Sequence, residues 1–146
     1  MSGRSEVLFE GYTEEEILTL PKEQVEAMIL TGETVVFRTG TAEILGEFRV
    51  DNNRLRIELA QIEGGGEGVL LRLGALARRF GHLNQLSAIE WIVHAVHCAK
   101  PNLKLRRVLE RRGFVVSKLP AIGEAYYLLE PIIAQRAARE DGDPRP

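Results

Sequence analysis

The stretch Arg54-Leu55-Arg56-Ile57-Glu58-Leu59-Ala60-Gln61-Ile62-Glu63-Gly64-Gly65-Gly66-Glu67-Gly68-Val69-Leu70 decides the fold. In its first half Leu55, Ile57 and Leu59 alternate with Arg54, Arg56 and Glu58, the period of a strand with one buried face. After the glycines, Val69, Leu70, Leu73, Leu76, Ala77 and Phe80 recur at helical spacing, which predicts a helix to about Gly81. A strand that runs through glycines into a helix N-terminus gathers several backbone N–H groups at one point, a cradle for an anion such as phosphate. Glycine suits the place because it has no Cβ to hold a ligand away and adopts positive φ at little cost. A glycine run alone is equally an ordinary loop, so the flanking segments must settle its meaning.

Upstream, Thr13-Glu14-Glu15-Glu16 is a capping-box pattern that predicts a short helix, and Pro21 ends it and opens a second one. Val25, Met28 and Ile29 give the second helix an apolar face, with Gly32 as its stop signal. Val7-Leu8-Phe9 reads as a short strand before them. Val35-Val36-Phe37, then Ala42 to Val50, then Arg54 to about Ile62 read as three strands joined by Thr39-Gly40 and Asp51-Asn52-Asn53, an antiparallel meander. Downstream, Ala88 to Val96 is a nearly continuous apolar strand, expected in the centre of the sheet and parallel to the third strand through a right-handed helical crossover. Lys100-Pro101-Asn102 starts a helix with Leu105, Val108 and Leu109 buried and Gly113 at its end. Phe114-Val115-Val116 and Ala125 to Leu129 are the last strands, Pro120 to Gly123 is a loop, and Ile132 to Arg139 is expected as a short helix. The order predicts an α/β single domain with a mixed sheet, over residues 1–139 and best supported over 34–129, with 140–146 as a flexible tail.

Composition bounds the function without naming it. The chain has 146 residues, 27% charged, with a formal net charge of -2, a balance that offers no global field for nucleic acid or an anionic membrane. Cys98 is the sole cysteine, which rules out an internal disulfide and suits a reducing compartment, so the cytoplasm is expected. No apolar run is long enough to span a bilayer.

Two local patterns then resemble a known family, the GNAT-type N-acyltransferases. The family's phosphate loop, Q/R-x-x-G-x-G/A, is matched by Gln61-Ile62-Glu63-Gly64-Gly65-Gly66; the register Glu63-Gly64-Gly65-Gly66-Glu67-Gly68 fits the following Val69-Leu70-Leu71 better, and both stay open. The second pattern, N-x-x-(small)-x-x-L-Y-x-x-x-G-F, has the spacing of Asn102 to Phe114. The resemblance spans Thr34 to Leu129 and implies a GNAT-like fold whose two parallel strands splay beside the glycine loop. It implies acetyl-CoA or another acyl-CoA as cosubstrate, with no metal. It also implies that the backbone of Leu59, Ala60, Gln61 and Ile62 holds the thioester and pantetheine arm. Gly64, Gly65, Gly66, Gly68 and Val69 would hold the pyrophosphate, and Asn102 would contact the pantetheine. The implied acceptor is a small-molecule or peptide amine, and a homodimer through the last strands is expected.

The chain departs from the family twice. Leu109 stands where the family has a tyrosine, the acid for the leaving thiolate, and a leucine has no proton to give. Glu63 and Glu67 flank the glycines, and a carboxylate about 4 Å from a phosphate oxygen costs about 1 kcal/mol in water and about 4 at an intermediate dielectric. These departures favour an alternative: a catalytically degenerate GNAT-like module for binding or dimerisation.

Catalytic candidates are therefore sought elsewhere. Glu58 and Glu90 lie in central strands, where burial would make a carboxylate a better base; the bland alternative is that each reaches the sheet end or pairs with an arginine. His94 and His97 sit with Cys98 at the carboxyl end of the apolar strand and are candidates for proton handling. Strand alternation separates the two histidines, so no metal site is expected. Lys104, Arg106, Arg107, Arg111 and Arg112 lie off the apolar stripe of their helix and are expected to be a solvated face rather than a nucleic-acid surface. Trp91, Tyr126 and Tyr127 read as core and sheet residues, with either tyrosine a minor candidate for the missing acid.

Overall fold

The computed structural model describes residues 8–9, 12–39, 42–63, 66–96 and 103–132. The elements in chain order are β1 (Leu8–Phe9), β2 (Tyr12–Thr13), α1 (Glu14–Thr19), α2 (Lys22–Met28), β3 (Thr34–Thr39), β4 (Ala42–Asp51) and β5 (Arg54–Glu63). They continue with α3 (Gly66–Leu83), β6 (Ala88–Val93), α4 (Leu103–Arg111), β7 (Val115–Leu119) and β8 (Gly123–Pro131). The described strands form one mixed sheet in the order β2-β1-β3-β4-β5-β6-β8-β7. Only the β5–β6 pair is parallel among these, and α3 is its crossover. The meander followed by a parallel β-α-β unit is the expected architecture.

Local chemistry fixes the ends. The capping box forms: Glu16 N–H donates to Thr13 Oγ1 at 3.1 Å and Thr13 N–H to Glu16 Oε1 at 2.9 Å. The β4–β5 hairpin turns through Asn52 and Asn53 at φ 53° and 60°, the two left-handed residues that a tight primed turn requires. Side-chain alternation along β5 sends Leu55, Ile57 and Leu59 into the core, where each is at most 4% exposed, and Arg54, Arg56 and Glu58 to the opposite face. The helices pack on the Leu55 face. Ile17 and Val25 from α1–α2, Ile29 just after α2, and Leu73, Leu76, Ala77 and Phe80 from α3 line an apolar pocket of about 40 Å³ over Phe48, Leu55 and Ile57.

Several boundaries differ from expectation. The apolar strand ends at Val93 rather than Val96: His94 N–H makes the last rung to Leu59 O at 2.9 Å, and Ala95 N–H then turns back to Val93 O at 3.0 Å. The helix after the glycine cluster starts inside it, at Gly66. Phe114 lies before β7, and Gly123 belongs to β8, which is longer than its apolar core suggested. Ile132 does not begin a helix; its N–H donates to Ser87 O at 2.9 Å. The rest of that expected helix and the expected tail lie outside the described residues, as does Val7.

Leu73 and Leu71 test which side of α3 is buried, since they are 1% and 53% exposed. Leu73→Ala enlarges the apolar pocket and is expected to cost about 2–5 kcal/mol of unfolding free energy. Leu71→Ala should change it by less than about 0.5 kcal/mol in the same denaturant titration.

Candidate functional site

The site begins where the parallel ladder stops. β5 and β6 pair from Arg54↔Ala88 to Leu59↔Val93, and β5 then runs on to Glu63 without β6 beside it. On its other side, β4 supplies Ile44 between the pairs Glu43↔Glu63 and Leu45↔Ala60, whereas β5 supplies Gln61 and Ile62. That is a β-bulge on β5, which bends the strand and leaves an extra residue outside the ladder. Among the described residues, neither Gln61 nor Ile62 has a ladder partner on either neighbouring strand. The 18-residue α3 starts immediately beyond, at Gly66, so its N-terminal amides and dipole stand at the same end of the sheet. Ala60, Gln61 and Ile62 therefore follow the end of the ladder on β5, Leu59 is still paired with Val93, and Gly66, Gly68 and Val69 stand in the first turn of the helix. Gly64, Gly65 and Asn102 lie outside the described residues, as do His97 and Cys98.

Glu58 and His94 meet at this gap. Glu58 Oε2 and His94 Nε2 are 2.7 Å apart, with side chains 27% and 33% exposed, so the pair is half-buried and still reached by solvent. The sequence named each residue but not their contact. The contact follows from the register: Glu58 pairs with Ile92, His94 lies two residues further along on the same face, and its N–H still makes the last rung of the ladder to Leu59 O. Full burial of Glu58, the condition under which it was expected to become a base alone, is not found. It has a histidine partner instead.

Glu90 takes the bland alternative. Its Oε2 accepts from Tyr127 Oη at 2.8 Å, and its Oε1 lies 3.9 Å from Arg56 Nε. Tyr126 Oη donates to Glu110 at 3.0 Å. Burial, then the hydrogen bond to the carboxylate, raises the pKa of Tyr127, and the same causes in the same order raise that of Tyr126. Both hydroxyls are thus engaged with carboxylates and hold their protons more tightly than a free tyrosine. Leu109 is fully buried. Trp91 is a core residue as expected and donates to Glu130 Oε1 at 3.1 Å.

Arg106 departs from the solvated face predicted for it. It is part-buried and donates through Nε to Ala95 O and through Nη2 to Val96 O, both at 2.7 Å. Lys104, Arg107, Arg111 and Arg112 are exposed. The sequence signal missed here is local: Arg106 adjoins the buried Leu105 and so flanks the apolar stripe rather than opposing it. Among the described residues, no group of three or more His, Cys, Asp or Glu is placed to hold a metal, and no helix is long and apolar enough to cross a membrane.

No protein-family model matches the chain, and no curated protein matches it in sequence. Solved structures similar to it include nourseothricin acetyltransferase, at 22% identity and a TM-score of 0.44, covering 68% of this chain and 65% of that one. An acetyltransferase of the GNAT family from Staphylococcus aureus Mu50 is similar at 11% identity and a TM-score of 0.49, covering 87% and 99%. A GNAT-family acetyltransferase from Listeria monocytogenes 4b F2365 is similar at 18% identity and a TM-score of 0.36, covering 79% and 75%. The chain thus spans 65% of the length of the first of these. The structural neighbours include members of the family that the loop and the Asn102–Phe114 pattern resemble.

The raised tyrosine pKa values give a pH test. The unfolded chain ionises its tyrosines near 10, and the folded chain holds these protons to higher pH. Their contribution to stability is therefore complete below about pH 10 and is lost as pH rises through the folded values. The tyrosinate absorbance of the native protein should show a late component that Tyr126→Phe and Tyr127→Phe each reduce.

Proposed function

We propose that the chain is an acyl-CoA-dependent N-acyltransferase that moves an acetyl group from acetyl-CoA to an amine on a small molecule or peptide. The observation that carries this reading is the break of the β5–β6 ladder at Leu59↔Val93, where β5 continues through a bulge to the N-terminus of α3. A strand edge free on one side suits a ligand arm with amide groups, such as pantetheine, which can pair with it as a strand would. The residues present fit the group.

In this reading the backbone of Ala60 to Ile62 aligns the arm and offers an N–H to the thioester oxygen, where negative charge develops. Gly64, Gly65, Gly66, Gly68 and Val69 would offer their backbone amides to the pyrophosphate, and Asn102 would contact the pantetheine. The Glu58–His94 pair takes a proton from the acceptor's ammonium group. The amine nitrogen then attacks the thioester carbon; a C–N bond forms, the C–S bond breaks, the sulfur leaves as thiolate, and the nitrogen gives up its second proton to solvent to leave the neutral amide. A thiol with an ordinary pKa of about 8.5 leaves without a donor, so Leu109 does not forbid transfer. His97 belongs to the same proposed proton-handling group. The cytoplasm, where Cys98 stays reduced, is the proposed compartment. The exposed β7, with Val115 and Val116 at 63% and 47%, is the surface on which a homodimer would form.

The buried Leu109 favours one other reading, a module that binds but no longer catalyses. Acetyl-CoA at about 100 times its dissociation constant should raise unfolding free energy by about 2.7 kcal/mol. Gly66→Glu should abolish that shift; absence of any shift in the unmodified protein at millimolar acetyl-CoA sinks the enzyme reading. Glu58→Gln and His94→Ala should lower kcat by about 10²–10⁴-fold while leaving acetyl-CoA binding unchanged. Thiol release over an amine panel reads the rate; binding without thiol release selects the module.

A further inference from the structure

We infer that Arg106 is a positioning residue that holds the end of β6 away from β5 and so keeps the acyl-CoA gap open. The inference rests on the proposed function for its ligand, but its structural basis is independent. The last rung of the β5–β6 ladder is His94 N–H to Leu59 O, and among the described residues Ala95 and Val96 pair with neither β5 nor β8. In the register of the parallel pair, Ala95 would fall beside Gln61 if the strand continued. Continuation would pair the two edges and close the gap. Three bonds prevent it. Ala95 N–H turns back to Val93 O at 3.0 Å, and the Arg106 fork takes the carbonyls of Ala95 and Val96 at 2.7 Å each. Ala95 is 3% exposed, so its carbonyl needs a protein partner once it has left the sheet.

An arginine fits this task for a geometric reason. Its planar fork presents two donors side by side to two successive carbonyls, and the charge strengthens both bonds. A lysine offers one compact charge and cannot reproduce both bonds in that plane. The fork is itself fixed, because Leu105 and Leu109 bury α4 in the core at 2% and 0% exposure. Helix α4 is thereby tied to the rim of the gap through one side chain. His94 is held separately, by its amide to Leu59 O and its ring to Glu58. Loss of Arg106 should therefore disturb binding more than the chemical step.

The test compares Arg106→Met, Arg106→Lys and, as a control on the exposed flank, Arg107→Met in the full chain. In Arg106→Met the Ala95 amide should exchange at least about tenfold faster while His94 and Trp91 change little, and KM for acetyl-CoA should rise at least about tenfold with kcat nearly kept, the worth of one charge-assisted bond at the low end. Arg106→Lys should lie between, and Arg107→Met should match the unmodified protein. Unchanged exchange at Ala95 overturns the inference. So does faster exchange with unaltered KM, which makes the fork merely structural. Should the unmodified protein show no saturable acetyl-CoA binding, the proposed function fails on its own. The exchange rates then still decide the clamp, faster at Ala95 upholding it and unaltered rates overturning it.

Discussion

The parting of β5 from β6 at Leu59 and Val93 is the constraint on which the rest of the structure depends. Parallel strands in the middle of a sheet normally pair along their shared length, since every buried N–H and C=O needs a partner. Here the last pair is followed by divergence on both sides. β5 bulges at Gln61 and Ile62, which breaks its alignment with β4. β6 turns at Ala95 and hands its carbonyls to Arg106. The departing strand is thus satisfied by other partners, while β5 keeps an open edge beside a helix N-terminus.

Such an edge would be a liability at the rim of a sheet, where a second chain could pair with it. Here it lies inside the sheet, with β4 on its other side and α3 beginning three residues beyond Glu63. The cost is carried by the core beneath. Ile57, Leu59, Ile89 and Val93 are fully buried, and each such side chain contributes about 1.5–3 kcal/mol on removal from water. The ladder below the divergence point is therefore secure enough to end abruptly.

The two faces of β5 divide the labour. Leu55, Ile57 and Leu59 pack against the helices, while Arg54, Arg56 and Glu58 face the other way. On that polar face the charges are matched locally. Glu90 takes the Tyr127 hydroxyl and stands near Arg56, whose buried Nε has no hydrogen-bond acceptor among the described residues. Glu58, nearer the gap, has His94. The carboxylate nearer the end of the ladder is thus partnered by a histidine, and the one farther away by a tyrosine with a raised pKa.

The sequence by itself determined the elements and the faces. Alternation along Arg54 to Leu59, the Asn52-Asn53 turn, the Thr13–Glu16 capping box and the Leu105–Leu109 stripe are local signals, written in periods of two and 3.6 or in the φ preference of single residues. It also placed the glycines at a strand-to-helix junction and named Glu58 and His94 separately. Tertiary structure alone decided that β6 stops at Val93, that Glu58 and His94 touch, and that Arg106 leaves the solvated face. Each of these depends on which backbone groups find partners across sequence separations of 36 and 11 or fewer residues. An apolar run such as Ala88 to Val96 reads the same whether its last residues pair with a neighbouring strand or with an arginine. The choice is made by hydrogen-bond satisfaction in three dimensions, not by the composition of the run.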